Sequence, residues 1–125
     1  MFRFKILVCF VIIILFGSCS KEPIKKSIIK EKSLESQVQE AYKEGMEALN
    51  DGDVLYAAKK FNEAEILFPQ ADSAPQAALM AAYSYYSQDY YYDAEFELNR
   101  FIKTYPNNKN LNYAHFLLGM CYYEK

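Results

Sequence analysis

Three cysteines and one histidine are the side chains best suited to nucleophilic or metal chemistry in this 125-residue chain. They are too few for a multi-ligand zinc site or a disulfide framework. The sequence has no Gly-rich phosphate loop and no serine placed on a strand-to-helix elbow. Glu63 and Glu65, like Glu95 and Glu97, are two residues apart, which favours different helix faces and solvated charge. We therefore predict that the chain is not an enzyme and that it uses no metal or cofactor.

Large uncharged side chains recur in columns, and they are the candidate binding residues. In a stack of helix pairs, the first helix of each pair lines the inner curve, and the residues aimed there lie one helical turn from the core positions. Tyrosine offers contact area with a hydrogen-bonding tip, methionine adapts to varied shapes, and exposed apolar patches commonly mark binding sites. We predict a groove for an extended or partly folded peptide with apolar or aromatic side chains. Its residues are Tyr42, Met46, Leu49, Leu79, Tyr83, Tyr86, Phe116, Met120 and Tyr123.

The alternative is that these side chains belong to the core, because aromatic residues at helical spacing often pack between neighbouring helices. We expect about half of the nine to be accessible to solvent. In the run that opens the fourth helix, Tyr91 is predicted to pack inward, with Tyr90 and Tyr92 nearer the surface. His115 is interpreted as a packed histidine rather than a ligand, and Cys121 as a small core residue.

Cys19 offers a different chemistry. Arg3 and Lys5 precede an apolar run over 6–16, whose helical length of about 16 Å is half of the ~30 Å hydrocarbon core. A basic start, a short apolar middle and small residues before the cysteine predict a secretory signal over 1–18. The segment LFGSC resembles the bacterial lipoprotein signal, which implies that Cys19 is lipidated, with palmitate among its acyl chains, and becomes the mature N-terminus. The alternative is an ordinary cleaved signal with an incidental cysteine.

Residues 19–34 are interpreted as the lipidated cysteine and a basic tether. After Cys19 the segment carries five lysines and two glutamates, a composition that favours a flexible linker drawn towards anionic head groups. Ser20 follows the cysteine where aspartate would favour the inner membrane, so the resemblance implies the outer membrane and a domain facing the periplasm. A strand that docks on a partner is the alternative for this segment.

Charge separates this amino-terminal region from the rest of the chain. Residues 1–34 carry seven Lys and Arg against two Asp and Glu, whereas residues 35–125 carry seven against 14, a net charge of −7. That acidic excess repels phosphate backbones and excludes nucleic-acid binding. With 52% hydrophobic residues, the chain is too apolar for disorder, and its length suits a single folded domain.

A spacing of 37 residues organises the predicted domain. Gly45, Ala82 and Gly119 are related by it, as are Pro69 and Pro106. Self-similarity at such a period is typical of a stacked solenoid, and each proline ends the helix before it. Five helices are predicted, over 36–50, 54–68, 74–87, 90–105 and 110–125, with Asp53 and Asp89 as N-caps and Asn110 at the start of the last helix.

The order of small, aromatic and proline positions resembles the tetratricopeptide repeat. It implies an all-α fold, a right-handed solenoid of antiparallel helix pairs, in a domain over 35–125 with repeats at about 38–71, 75–108 and 112–125. Two features differ from the family: the early Trp position holds Ala41, Ala78 and His115, and the period exceeds 34. The matched positions are Gly45, Ala57, Phe61, Ala64 and Pro69, then Ala82, Tyr85, Ala94, Leu98 and Pro106.

The segments AYKEGMEALNDGDVLYAAKKFNEAEILFP and RFIKTYPNNKNLNYAHFLLGMCYY, with the lipid signal and the tether, resemble the BamD family, the lipoproteins of the outer-membrane β-barrel assembly machinery. The resemblance covers the amino-terminal half of that family. It implies a scaffold that helps to insert β-barrel proteins, recognises unfolded outer-membrane proteins through an aromatic-ended carboxy-terminal signal, and contacts an accessory lipoprotein. The docking surface for the barrel component's POTRA domains lies largely in the carboxy-terminal repeats of the family.

Two other functions stay open at this point. One is a periplasmic repeat scaffold of the Tol–Pal and cell-division type, and the other is a repeat module of an envelope enzyme whose catalytic domain lies beyond Lys125. The sequence ends inside the fifth predicted helix, and such stacks need about three repeats for stability. We therefore expect a truncated chain whose last helix is its least stable part.

Overall fold

A computed structural model of the chain describes residues 32–125. The expected signal peptide, Cys19 and most of the tether lie outside the described residues. Residues 32–125 form five helices and no strand, and each of these helices is too short or too polar to span a lipid bilayer. The helices are α1 (Leu34–Asn50), α2 (Val54–Leu67), α3 (Ala74–Tyr86), α4 (Tyr91–Thr104) and α5 (Leu111–Glu124).

The helix boundaries agree with the predictions to within two residues, because local signals set them. Helix α1 begins two residues early, where the Ser33 hydroxyl accepts a hydrogen bond from the Ser36 N–H at 3.2 Å. Asp53 caps α2 as predicted, and its Oδ1 accepts from the Tyr56 N–H at 3.1 Å. These bonds satisfy N–H groups that the first helical turn leaves without a backbone partner.

The prediction that Asp89 caps α4 is wrong. Asp89 has a positive φ of 65° in the turn, and Tyr90 takes the N-cap position. The Asp89 carboxylate instead accepts from the Tyr91 hydroxyl at 2.7 Å, and this bond raises the pKa of Tyr91 to about 12. Asn110 starts α5 as predicted, but its own N–H donates to Asn108 Oδ1 at 2.9 Å, and its side chain makes no capping bond.

Each helix packs chiefly on its neighbours in the chain, α1 on α2, α2 on α3, α3 on α4 and α4 on α5. This order makes α1 and α2 one hairpin and α3 and α4 a second, with α5 continuing the stack. The all-α prediction of tandem, tetratricopeptide-like helix pairs is confirmed. We call the two pairs the first hairpin and the second hairpin.

Small residues let the helices of the first hairpin approach closely. A Cβ atom added to Gly45 would lie 2.9 Å from two ring carbons of Phe61, which is too close for any real contact. The Phe61 ring is fully buried, and the Tyr42 ring meets it edge-on at 5.1 Å between centroids. Phe61 therefore fills the space that the small residues leave, as predicted.

The second hairpin uses the same positions with different side chains. Ala82 and Leu98 stand where the first hairpin has Gly45 and Phe61, and both are fully buried in one cluster with Phe101. Cys121 from α5 joins this cluster as a fully buried free thiol, and burial raises its pKa. Its prediction as a small core residue is confirmed.

The prediction that His115 packs in the core is wrong, because His115 is exposed. Helix α5 turns Ala114, Leu117 and Cys121 towards the core. His115 follows directly after Ala114 and therefore points away from the core. Gly119, one turn further along the same face, has nothing within 4 Å of where a Cβ would be. In each hairpin, the equivalent positions of the first helix pack against the second helix. On α5 these positions, His115 and Gly119, are exposed to solvent.

Candidate peptide-binding groove

The nine predicted groove residues differ in exposure along the inner face. Leu79 is buried, with 7% of its surface accessible, whereas Tyr83, Phe116 and Tyr123 are exposed at 37%, 62% and 82%. Three of the nine are therefore exposed, one is buried and five are half-buried. The five half-buried members are Tyr42, Met46, Leu49, Tyr86 and Met120.

Contacts across the inner face link the first helices of successive repeats. Between α1 and α3, Gln76 Nε2 donates to the Tyr42 hydroxyl at 3.2 Å. Between α3 and α5, Tyr113 lies near Tyr83 and Tyr86, and its pKa is raised by burial first and by those two phenols second. The faces of α1, α3 and α5 that carry Tyr42, Gln76, Tyr83, Tyr86 and Tyr113 thus form one continuous surface. We call this surface the inner groove.

A cavity of about 290 Å³ opens in the inner groove between α1 and α3, and we call it the smaller pocket. Its walls are mostly apolar, with one lysine and the amides of two glutamines at the rim. They consist of Val38, Gln39, Tyr42 and Lys43 from α1 with Ser73, Gln76 and Ala77 from the start of α3.

A cavity of about 500 Å³, the larger pocket, opens between α3 and the start of α5. It combines two phenols with a methionine, a leucine and several polar groups. Its lining residues are Gln76, Leu79, Met80, Tyr83, Lys109, Asn110 and Tyr113.

Only part of the predicted set lines these two pockets. Tyr42 contributes to the smaller pocket, and Leu79 and Tyr83 contribute to the larger one. The other six members line neither. Phe116 and Tyr123 are exposed on α5, and Tyr86 packs against Tyr91 with 5.8 Å between ring centroids. Those six are Met46, Leu49, Tyr86, Phe116, Met120 and Tyr123.

Sequence reasoning missed a further column in the first turns of the helices. Gln39, Gln76 and Tyr113 are 37 residues apart, and each lines a pocket. They come one turn before the first predicted column, so the same 37-residue spacing contained the signal. Lys109 was missed as well, because it lies in the loop before α5, where helical periodicity gives no direction.

The charge of the two pockets is opposite to that of the domain. Their charged lining residues are Lys43 and Lys109, although residues 35–125 carry a net −7. By contrast, the pocket at the turn between α1 and α2 is lined by four carboxylates, those of Glu44, Glu47, Asp51 and Asp53. A further pocket, which shares Val38, Gln39 and Ser73 with the smaller pocket, is lined by the carboxylates of Glu35 and Asp72, and Lys43 lies 3.6 Å from Glu47. Of the two lysines, Lys109 at the larger pocket is therefore the one that favours an acidic group.

A buried polar network links α2 to α4, and it overturns the prediction that Glu65 and Glu97 are solvated. Glu65 and Glu97 are 5% and 8% exposed. Arg100 donates two bonds to Glu65, at 2.9 and 2.7 Å, and one to Glu97 at 2.8 Å. The Tyr105 hydroxyl donates to Glu65 at 2.6 Å, and Asn62 accepts from Arg100 at 3.1 Å. We call these five residues the Arg100 network.

Glu63 and Glu95, the other members of the two Glu pairs in the sequence, lie nearer the surface than Glu65 and Glu97. Glu63 pairs with Lys60 at 2.9 Å, and Glu95 pairs with Lys125. Both are partly exposed, as the sequence prediction had it. The spacing of carboxylates along one helix does not indicate that Glu65 is buried, because its partner Arg100 lies 35 residues further along the chain.

The inner groove offers a ligand apolar walls together with a small number of polar side chains. Within residues 32–125, no group of three His, Cys, Asp or Glu side chains is placed to hold a metal ion. Among the same residues, every buried side-chain nitrogen and oxygen has a hydrogen-bond partner. The polar groups open to a ligand are thus those at the pocket rims, where amides and phenols stand beside apolar walls.

Stacked helical hairpins with an open groove define a tetratricopeptide-like helical repeat protein. The sequence profile of the YfiO outer membrane lipoprotein family matches residues 34–125, and the chain belongs to that family. No solved structure matches the chain significantly.

Curated relatives agree with this assignment. The outer membrane protein assembly factor BamD of Caulobacter vibrioides is 30% identical over 109 residues, 87% of this chain and 35% of the relative. The protein of that name from Rickettsia prowazekii is 30% identical over 113 residues, 90% of this chain and 43% of the relative. The one from Neisseria meningitidis serogroup B is 31% identical over 88 residues, 70% of this chain and 33% of the relative. The chain thus spans between a third and about two fifths of these relatives' lengths.

Proposed function

We propose that the chain is an outer-membrane lipoprotein scaffold of the β-barrel assembly machinery. In this role it contributes to the assembly and insertion of β-barrel proteins by binding unfolded clients or partner subunits in its inner groove. Membership of an outer membrane lipoprotein family and relatives named as outer membrane protein assembly factors support the proposal. The same relatives favour it over a Tol–Pal type scaffold and over a module of an envelope enzyme.

The observation that carries the binding role is the open aromatic lining of the inner groove. A folded domain normally hides large apolar side chains, and a contiguous exposed set marks an interaction site. Here Tyr83 and Tyr113 are exposed on facing helices and border a cavity of about 500 Å³. Aromatic side chains supply large contact area and a hydrogen-bonding tip, which suits recognition of an unfolded segment with aromatic residues. Clients that end in an aromatic residue are the expected ligands.

The proposed location is the outer membrane, with the domain in the periplasm and an acyl anchor on Cys19. Residues 1–18 then act as the signal peptide, 19–34 as the lipidated cysteine and tether, and 35–125 as the repeat domain. The partners in this arrangement are the barrel component with its POTRA domains and an accessory lipoprotein. Several acyl chains hold such a domain at a bilayer, because each buried CH₂ contributes about 0.8 kcal/mol.

Binding to a peptide that ends in an aromatic residue tests the groove. The double substitution Tyr83→Ala/Tyr86→Ala removes two phenols from the inner face, and we expect it to weaken binding at least tenfold in fluorescence anisotropy. Tyr90→Ala/Tyr92→Ala is the matched control, since both of those tyrosines are exposed outside the two pockets. Circular dichroism checks that both variants stay helical, and Tyr83→Ala alone serves if the double variant unfolds. Equal affinity of wild type and groove variant would rule out this binding mode.

Metabolic labelling with radioactive palmitate tests the anchor separately. Wild type is expected to incorporate label and to fractionate with the outer membrane. Cys19→Ala is expected to lose the label, whereas Cys121→Ala is expected to keep it, because that thiol is buried in the core. Label on the Cys19→Ala variant would contradict the lipoprotein assignment.

A further inference from the structure

The smaller and larger pockets are the same site repeated one structural unit later. A shift of 37 residues carries Gln39 onto Gln76, Tyr42 onto Leu79 and Ser73 onto Asn110. Each residue of these pairs lines its own pocket at the corresponding place. Helix α3 forms one wall of both pockets, and Gln76 lines both. A ligand that enters one pocket therefore has an equivalent site directly beside it.

The two pockets differ in the chemistry that they offer. The smaller one has apolar walls, and its lysine, Lys43, already lies 3.6 Å from Glu47. The larger one is bordered by Lys109, which is exposed, and no carboxylate of residues 32–125 lies within salt-bridge distance of it. An apolar side chain suits the smaller pocket, and a carboxylate suits the larger pocket beside Lys109.

The geometry of α3 sets the distance between the two occupants. The pockets lie on either side of this helix, so their centres are about one helix diameter, ~10 Å, apart. An extended chain in the polyproline II conformation advances about 3.1 Å per residue with three residues per turn, so side chains three residues apart point to the same side, about 9 Å apart. About three residues therefore separate a side chain in one pocket from a group in the other.

Gln76 stands on the ridge that such a chain must cross. Its amide has two N–H donors and an acceptor oxygen. Within residues 32–125, its side chain makes one hydrogen bond, to the Tyr42 hydroxyl. The second N–H and the carbonyl oxygen are free to bind the backbone of a passing peptide, which carries the same two kinds of group at every residue.

We propose that the inner groove holds one peptide in the polyproline II conformation across α3, with an aromatic side chain in the smaller pocket and a carboxylate three residues away beside Lys109. Gln76 binds the peptide backbone between them. This inference rests on the proposed function and deepens it by naming the class of segment that the groove selects. The carboxylate is that of an acidic side chain on the same side of the peptide as the aromatic ring.

Labelled peptides binding to the full chain test the spacing. The reference probe is the fluorescein-labelled, C-terminally amidated octapeptide Ser-Gly-Phe-Ser-Gly-Asp-Ser-Gly, in which Phe and Asp are three residues apart. We expect it to bind about tenfold more tightly than peptides with Asp one or five residues from Phe, and than the Asp→Asn peptide. A peptide that ends at the sixth residue, and that carries a free terminal carboxylate instead of the Asp side chain, tests whether a chain terminus can replace the acidic side chain. Tighter binding of the Asp peptide than of both the Asn peptide and the truncated peptide is expected. No gain from Asp, or a gain from the terminal carboxylate alone, contradicts the inference.

Variants of the protein assign the effect to the pocket. Lys109→Gln is expected to abolish the difference between the Asp and Asn peptides, and Gln76→Ala is expected to weaken both peptides equally. Lys103→Gln is the matched control, since Lys103 is an exposed lysine on α4 outside both pockets. All three positions are exposed, so the fold is expected to survive each change.

The outcomes separate this inference from the proposed function. Equal affinity at every spacing, or a preference for Asp that survives Lys109→Gln, overturns the inference. If Tyr83→Ala/Tyr86→Ala still abolishes binding in that case, the groove binds peptides and only the two-pocket selection fails. If the groove variant binds every peptide as wild type does, the proposed function fails as well.

Discussion

The two hairpins solve one packing problem with different pairs of side chains. In the first, Gly45 on α1 faces Phe61 on α2, and no Cβ fits between them. In the second, Ala82 on α3 and Leu98 on α4 occupy the same places, with one methyl more on the first helix and a smaller side chain opposite. The 37-residue spacing fixes which positions meet, whereas the summed volume of each pair fixes how closely the helices approach.

The hairpins also differ in how they use charge. Lys60 and Glu63 form a pair on α2, and the equivalent positions on α4 hold Glu97 and Arg100, with the signs reversed. On α2, Lys60 also reaches Glu44 of its own hairpin at 2.8 Å. On α4, Arg100 reaches back to Glu65 of the preceding hairpin. The second hairpin is thereby tied to the first through its charged pair.

Truncating the large core residue of each hairpin has the largest expected effect. Phe61→Ala should lower the free energy of unfolding by about 3–5 kcal/mol and Leu98→Ala by about 2–5 kcal/mol. The loss at Phe61 should be the greater, because Gly45 has no side chain to occupy the cavity. Urea unfolding followed by circular dichroism measures both, and Phe61→Leu serves if Phe61→Ala does not fold. A greater loss at Leu98 would contradict the size argument.

Removing Arg100 ranks second. Arg100→Met leaves the buried carboxylates of Glu65 and Glu97 without their cation, and we expect a loss of about 2 kcal/mol, reduced by the partial exposure of Arg100. Lys60→Met, at the reversed pair of the first hairpin, is the control and should cost less, because Glu63 and Glu44 face solvent more. Equal losses in urea unfolding would show that the Arg100 network does not link the hairpins energetically.

Adding one methyl group at equivalent glycines should have opposite effects. Gly45→Ala forces the Phe61 ring to move, for an expected cost of about 1–3 kcal/mol. Gly119→Ala meets nothing and should stabilise the chain by about 0.5–1 kcal/mol through helix propensity. Both are read from thermal unfolding.

A double substitution sharpens the same comparison. Gly45→Ala/Phe61→Leu gives the first hairpin the pair that the second one has. It should be more stable than the sum of its two single changes predicts. Strict additivity in this double-mutant cycle would mean that the two positions do not share a packing volume.

A change in alkaline stability is the smallest expected effect. Burial, and then the hydrogen bond to Glu65, raise the pKa of Tyr105, so the folded state favours its neutral phenol. This contribution is fully present below the unfolded pKa of about 10 and is lost as pH rises through the raised folded value. Tyr105→Phe should therefore flatten the fall in stability above pH 10, whereas Tyr92→Phe, at an exposed ring, should not. An unchanged slope in the Tyr105→Phe variant would contradict this assignment.

The sequence predicted elements whose cause is local. The prolines at 69 and 106 and the spacing of small residues were enough to predict five helices and their pairing. Asp89 was misassigned because its positive φ belongs to the turn, and residue type alone does not distinguish a cap from a turn residue. His115 was misassigned because its burial depends on a second helix packing on α5, which residues 32–125 do not supply.

The candidate site was predicted less completely. Periodicity gave the columns of the inner face, but it did not give Lys109, which a loop places, or Gln76, whose role depends on helices on both sides of it. Glu65 and Arg100 were missed for the same reason, since they meet across two helices 35 residues apart. Contacts between elements depend on the distances at which helices pack, and a single helix does not encode these distances.

Site-specific photocrosslinking in living cells reveals which surface of the domain contacts unfolded outer-membrane proteins. A benzoylphenylalanine at position 83, in the inner groove, is compared with one at position 66, where Ile66 is 72% exposed on α2 outside both pockets. We expect position 83 to capture unfolded outer-membrane β-barrel proteins, identified by mass spectrometry, and position 66 not to capture them. Capture of these proteins from position 66 alone, or equally from both positions, would contradict a client-binding inner groove.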